Sequence, residues 1–259
     1  MTLPPHSLIG VIALPPLPGL ADSPGIETML ALALADLAAL EDGGANAVLI
    51  ENDFDRPHTL VGDAAGVAAM TAVAAEVVRR ARVPVGVQML LNDWRASLGI
   101  AAAAGAGFVR LDFFVDRVRI AAGEIVPEPE RILAYRAAIG AEQIALCTDI
   151  QVKHSEPLEV GKSLAVSALQ AAAHGSAAAI VSGARTGLPP SAEDLLAARA
   201  GGLPVWIGSG LTSANAAALW PLCDAAIVGT ALRAGPTWRE RVDERLVRAL
   251  RSAIDELGR

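Results

Sequence analysis

The sequence predicts a closed (β/α)8 barrel, and three observations carry that expectation. Short β-branched or aliphatic runs alternate with longer, Ala-rich amphipathic runs eight times along the chain, the pattern of parallel strands joined by helices. No linker-like composition interrupts the 259 residues, so one barrel domain spanning 1–259 is expected. An open doubly wound sheet would place a G-x-G-x-x-G turn after an early strand, whereas the first strand here runs into Pro15-Pro16-Leu17-Pro18-Gly19.

The first strand is read at Leu8–Leu14 and its helix at about Ile26–Asp42, closed by Gly43-Gly44, a pair suited to a helix C-cap. The second strand is Ala47–Glu51, followed by a loop and a helix over about Asp63–Ala81. The third is Pro84–Leu90, with Asn92 placed to cap the helix that carries Trp94, Leu98 and Ile100. The fourth is Phe108–Asp112. The stretch at about 113–127 is too long for a simple βα turn, and its Val115, Val118, Ile120 and Gly123 read as a small inserted hairpin before a helix over Glu128–Ile139. The fifth strand is Ile144–Ile150, its loop Gln151–Glu159 and its helix Gly161–His174. The sixth is Ala178–Ser182; a loop over Gly183–Pro190 then leads to Ser191 as N-cap of Ala192–Ala200, with Asp194 in the favourable first turn. The seventh is Pro204–Gly208, with Thr212 starting the next helix, and the eighth is Ala225–Val228. The last helix is read from Trp238, Val242, Leu246, Leu250 and Ile254 at spacing four, as ordinary core packing.

Composition excludes several classes. With 53% hydrophobic and 19% charged residues the chain is too apolar for disorder, and a chain this long buries roughly 75% of its unfolded surface without needing a staple. The only cysteines, Cys147 and Cys223, sit inside apolar runs, which removes a disulfide framework and a Cys-based zinc site and fits a reducing cytoplasm. A net charge of −7 argues against a nucleic-acid partner. Mean hydropathy is +0.43, yet charge or Gly breaks every apolar run early, so no membrane span is expected. Met1–Ser7 lacks the cationic start of a signal peptide.

In such barrels chemistry sits at the C-terminal ends of the strands, which turns the sequence into a short list. It comprises Glu51 and Asn52; Gln88, Asn92 and Asp93; Arg110 and Asp112; Asp149, Lys153 and His154; Ser182, Arg185 and Thr186; and Ser209 and Thr230. Gly208-Ser209-Gly210 and Gly229-Thr230 follow the seventh and eighth strands, where these barrels commonly bind phosphate through main-chain amides. Tight βα turns would use the same glycines. The loop from Gly183 to Gly187, with Arg185 and Thr186, offers a third wall.

Lys153 and Lys162 are the only lysines in an Arg-rich chain. Lysine can act as acid, base, Schiff-base nucleophile or phosphate contact, and a surface ion pair is the competing reading for Lys153. His154 suits general acid or base work beside a carboxylate, or a plain loop hydrogen bond. Glu51 and Asp149 lie among apolar neighbours and must be paired or functional. They could form a structural ion pair with Arg110 or Lys153, or join Asp112 in holding a divalent cation. His6, His58 and His174 are assigned no role beyond solvation.

A set of segments runs through the chain: Ile9-Gly10-Val11-Ile12 with Leu14 to Gly19, Val48-Leu49-Ile50-Glu51-Asn52, Gln88 with Asn92-Asp93, and Tyr135-Arg136. It continues through Asp149 with Val152-Lys153-His154, Val181-Ser182-Gly183, Thr186-Gly187, and Ile207-Gly208-Ser209-Gly210 through Asn215. Together these segments give the chain a resemblance to the BtpA/SgcQ family, whose name derives from a photosystem I biogenesis factor. It covers nearly the whole chain and implies a TIM barrel of the ribulose-phosphate-binding type. Site positions it carries over are Glu51, Asn92, Asp149, Lys153, His154, Ser209 and Gly210. The chain departs from the family at Ala13 and Gln151, where histidine is usual, and at Leu111-Asp112-Phe113-Phe114, where an Asn is expected.

The expected function is a cytoplasmic enzyme of isomerase, epimerase, lyase or aldolase type acting on a phosphorylated sugar or related phosphate ester. The amides of Ser209, Gly210, Gly229 and Thr230 would hold the phosphate, with Asn92, Arg110, Asp112, Ser182, Gly183, Thr186 and Gly208 around the substrate. Glu51, Asp149, Lys153 and His154 would share proton transfer and stabilisation of an enediolate or iminium. No cofactor beyond a divalent cation is implied, and the Ala-rich outer helices suggest a homo-oligomer. The competing expectation is a non-catalytic assembly or stability factor for a membrane complex.

Overall fold

Each β-branched run forms a strand whose side chains alternate between helices and barrel interior. The structure, a computed structural model, describes residues 3–152, 155–183 and 187–258. Eight parallel strands close the barrel: β1 (Ser7–Ala13), β2 (Ala47–Glu51), β3 (Val85–Gln88), β4 (Phe108–Leu111), β7 (Ala145–Asp149), β9 (Ala178–Val181), β10 (Val205–Ile207) and β11 (Ala225–Val228). They neighbour one another in the order β1-β11-β10-β9-β7-β4-β3-β2, with β1 pairing both β2 and β11 to complete the ring.

The outer layer is α1 (Ile26–Asp42), α2 (Ala64–Arg80), α3 (Trp94–Ala104), α4 (Pro129–Ala138), α5 (Leu164–Ala173), α6 (Ala192–Ala198), α7 (Ala216–Leu219) and α8 (Glu244–Asp255). The outward strand residues Leu8, Ile12, Val48, Ile50, Val87 and Val109 pack with helix residues such as Met29, Leu40, Met70 and Leu98 in the main core. Ser191 caps α6 and exchanges hydrogen bonds with Asp194 in a reciprocal capping box. Among the described residues no helix is long and apolar enough to cross a membrane.

Between β4 and α4, β5 (Val118–Ile120) and β6 (Gly123–Ile125) form an antiparallel hairpin. A short strand from the loop after β7, β8 (Glu156–Pro157), adds to its edge. Asp116 ties the two loops together, accepting from Gln151 N at 2.8 Å and Ser167 Oγ at 2.6 Å and pairing with Lys162 Nζ at 2.9 Å. Gln151 is held there in the left-handed region at φ 49°, its side chain donating to the Lys162 carbonyl at 3.0 Å.

Three local expectations are corrected. Asn92 is not the cap of α3: Asp93 accepts from Ala96 N at 2.9 Å, while Asn92 Oδ1 accepts from Phe113 N at 3.2 Å and joins two mouth loops. Thr212 does not start a helix; its N–H donates to Asn215 Oδ1, and Asn215 precedes α7. The last helix begins at Glu244 and buries Val247, Leu250 and Ile254, so Trp238 and Val242 lie outside it and Leu246 is exposed. A spacing of four drifts about 40° per step around a 3.6-residue turn, so it cannot trace one buried face for long.

Candidate functional site

Period-two alternation extends the barrel interior upward from an apolar floor into a polar rim. On β2 the inward positions run Ala47, Leu49, Glu51; on β4, Phe108, Arg110; on β7, Ala145, Cys147, Asp149. Continued past the strand ends, the same parity reaches Asp112, Ser182, Gly208 and Gly229. The lower layers, including Ile180, Trp206 and Ile227, are fully apolar. Polar chemistry is thus confined to the C-terminal end of the ring.

Arg110 organises that rim. Its Nε donates to Asp149 Oδ2 at 2.7 Å, Nη2 to Asp149 Oδ1 at 3.0 Å, and Nη1 to Glu51 Oε1 at 3.2 Å. Burial by itself would lower the guanidinium pKa, but Asp149 first, then Glu51 and Asp112, outweigh it and hold it above the ordinary arginine range. Ser182 Oγ donates to Asp149 Oδ1 at 3.2 Å, and Gln88 Nε2 donates to Asp112 Oδ1 at 2.8 Å. Gln88 Oε1 is buried with no hydrogen-bond partner among the described residues.

Glu51, Asp112 and Asp149 are therefore gathered around a protein cation. Arg110 pairs with both Glu51 and Asp149, and among the described residues no group of His, Cys, Asp and Glu is placed to bind a metal. Glu51 and Asp149 are both ion-paired with Arg110, one of the two partners considered for them.

The glycine loops pack tightly on one another. Gly210 adopts φ +81°, and a Cβ there would lie 2.3 Å from the backbone of Leu188 and Pro189. The same segment abuts Gly183, where a Cβ would fall 2.4 Å from both carbonyl oxygens. A Cβ at Gly208 would meet Ser182 Oγ at 2.4 Å and Arg110 Nη2 at 3.2 Å, so the backbone there runs directly beside the charged cluster. Loop packing accounts for these glycines with or without an anion. Gly229 and Thr230 open a single 3-10 turn, Thr230–Leu232, with Thr230 exposed. Lys153, His154, Arg185 and Thr186 lie outside the described residues.

Several groups at this rim have roles that residue type alone does not disclose. Asn52 accepts from Leu90 N at 2.7 Å and donates to Asp55 at 2.8 Å, and Asp55 accepts from Leu17 N at 2.9 Å, so one small network sets the first three mouth loops. Arg241 pairs with the fully buried Asp36 of α1 and donates to the Ala13 carbonyl at the end of β1. Arg233, just after the eighth strand, stacks on Phe54. Strand parity marks Gln88 as inward-facing, but nothing local in the sequence marks Arg233 or Arg241. The described residues also form a groove of about 500 Å3 outside the ring, lined by Leu60, Val67, Thr71, Asn92, Trp94 and Tyr135.

Known proteins share both the sequence and the architecture. The family model described as BtpA family matches residues 5–256. The chain is 33% identical over 256 residues to the photosystem I biogenesis protein BtpA of Synechocystis, covering 97% of this chain and 88% of that protein. It is 34% identical over 245 residues to a protein of Archaeoglobus fulgidus, covering 94% and 98%. Among solved structures, thiamine phosphate pyrophosphorylase from Pyrococcus furiosus superposes with a TM-score of 0.60 at 15% identity, covering 97% and 96%. Phosphoribosyl anthranilate isomerase from Thermus thermophilus gives 0.59 at 14%, covering 97% and 100%. These likenesses show the TIM-barrel fold.

Proposed function

The chain belongs to the BtpA family, and on that premise we propose that it is an enzyme acting on a phosphorylated sugar or related phosphate ester. The reaction class is isomerisation, epimerisation or C–C or C–N cleavage. One observation carries this reading: a buried cluster of three carboxylates and one guanidinium stands at the C-terminal end of the ring. Burying paired charges seldom stabilises a fold relative to apolar packing, and this end of the barrel is where catalytic groups gather.

Asp149, gripped at both oxygens, is the positioning residue that orients Arg110. Arg110 faces negative charge that develops on an enediolate or similar intermediate. Glu51, which takes one nitrogen of Arg110, moves the proton. Lys153 and His154, which follow β7 in the sequence, are assigned the remaining proton transfers, and Asp112 and Ser182 orient the substrate. The phosphate rests on the amides of Ser209, Gly210, Gly229 and Thr230, with Gly183, Thr186 and Gly208 as the adjoining wall.

Thermal-shift measurement against a panel of sugar phosphates tests the reading. A true ligand at a hundredfold excess over its Kd stabilises by about 2.7 kcal/mol. The name of the Synechocystis relative favours a second reading, a non-catalytic assembly factor for a membrane complex; that reading predicts no shift anywhere in the panel. Trapping by borohydride with a stabilising ligand then reports on Lys153: an adduct makes it a Schiff-base nucleophile, and none leaves it an acid, base or phosphate contact.

A further inference from the structure

Among the described residues no carboxylate pairs with the charge of Arg233. The residue is 9% exposed, and its guanidinium lies 5.0 Å from the centroid of the Phe54 ring, which packs on the apolar floor of the barrel. Nη2 reaches the Thr237 carbonyl at a long 3.4 Å, while Nε and Nη1 are buried without a hydrogen-bond partner among the described residues. Asp36, Asp53 and Glu240 act on it through space, and among the described residues none forms an ion pair with it. Asp36 is already taken by Arg241, which adds a second positive charge nearby. A buried cation with unspent donors is costly, and arginine cannot escape by losing its proton.

We propose that Arg233 is the charged anchor for an oxyanion, the phosphate or carboxylate group of the molecule that enters the mouth, and that Phe54 is the cover this anion displaces. Arg233 follows the Gly229-Thr230 turn by three residues and its N–H donates to the Thr230 carbonyl, so its backbone continues directly from that turn, while its side chain lies over Phe54 of the loop after β2. The planar group offers parallel N–H bonds to an oxyanion. The assignment rests on the mouth being the ligand site.

Titration calorimetry with inorganic phosphate, then with acetate, on the full chain and on Arg233→Met and Phe54→Ala tests it. Arg233→Met should raise the Tm of the ligand-free protein, because it removes unpaired buried donors, and weaken anion binding at least about tenfold. Phe54→Ala should tighten binding. Unchanged phosphate affinity in Arg233→Met with a lowered Tm makes Arg233 structural and overturns the proposal while leaving the phosphate-ester reading intact. Arg233-dependent binding of acetate without phosphate binding supports the anchor and sinks the phosphate-ester reading. Binding of neither ion overturns both. If Arg233→Met fails to fold, Phe54→Ala decides, since unchanged or weaker phosphate binding there contradicts the role of cover.

Discussion

Arg110 and Asp149 meet through a two-point contact at the rim of the ring, Nε to Oδ2 at 2.7 Å and Nη2 to Oδ1 at 3.0 Å, from the adjacent strands β4 and β7. Asp149 is 1% exposed, so removing it leaves a buried cation supported by Glu51 at 3.2 Å. Asp149→Ala should lower unfolding free energy by about 3–5 kcal/mol. The double variant Arg110→Met with Asp149→Leu should lose less than the sum of its two single variants and remain inactive on any substrate, while Glu51 and Asp112 stay buried without the guanidinium. Urea unfolding of Arg110→Met, Asp149→Leu and the double measures the coupling; additive effects would show that the pair does not act as a unit.

Two glycines with nearly the same backbone angle separate conformational cost from close approach. A Cβ added at Gly187, φ +80°, would meet nothing within 4 Å among the described residues, whereas one at Gly210, φ +81°, would meet the Leu188–Pro189 backbone at 2.3 Å. Gly187→Ala should cost about 1–2 kcal/mol from the left-handed conformation alone. Gly210→Ala should cost more and shift the loop from its neighbour, seen as a larger fall in Tm and weaker phosphate binding. Equal losses would mean that the loop–loop contact contributes nothing.

His58 gives a pH dependence with a defined sign. Burial first, and Arg56 next, lower its pKa below 6.5; Nε2 lies 2.9 Å from the Arg56 guanidinium, where a second proton is unwelcome. The unfolded chain takes up a proton near the ordinary value and the folded chain only at lower pH. Stability from this group is therefore present above about pH 6.5 and declines as pH falls through the window below it. His58→Gln should flatten that part of the stability profile, and an NMR titration of the imidazole should place its midpoint below 6.5. A midpoint at or above 6.5 contradicts this account.

The barrel and its polar rim are legible in the sequence because strand parity is a local signal: inward positions alternate from Ala47 to Glu51 and from Ala145 to Asp149, and the ends of such runs must carry whatever chemistry the interior has. Glu51, Arg110, Asp112, Asp149 and Ser182 do come together there. Local capping is less legible, since Asn92 and Asp93 are equally good caps by type and only the path of the following loop decides that Asn92 holds Phe113. The start of the last helix is hidden for a similar reason: Val242 pairs with Arg233 in a short bridge instead of joining the helix. Arg233 itself leaves no trace in the local pattern, since its burial depends on Phe54, from a loop in the other half of the chain.

The central claim is that the loops after β10 and β11 receive an anionic group at the mouth of the ring. Backbone amide NMR shifts during titration with inorganic phosphate test it most directly. The account predicts saturable shifts at Ser209, Gly210, Gly229 and Thr230, with residues lining the outer groove, such as Thr71 and Tyr135, unmoved. Saturable shifts confined to that groove, or none at the four amides at any phosphate concentration, would contradict it.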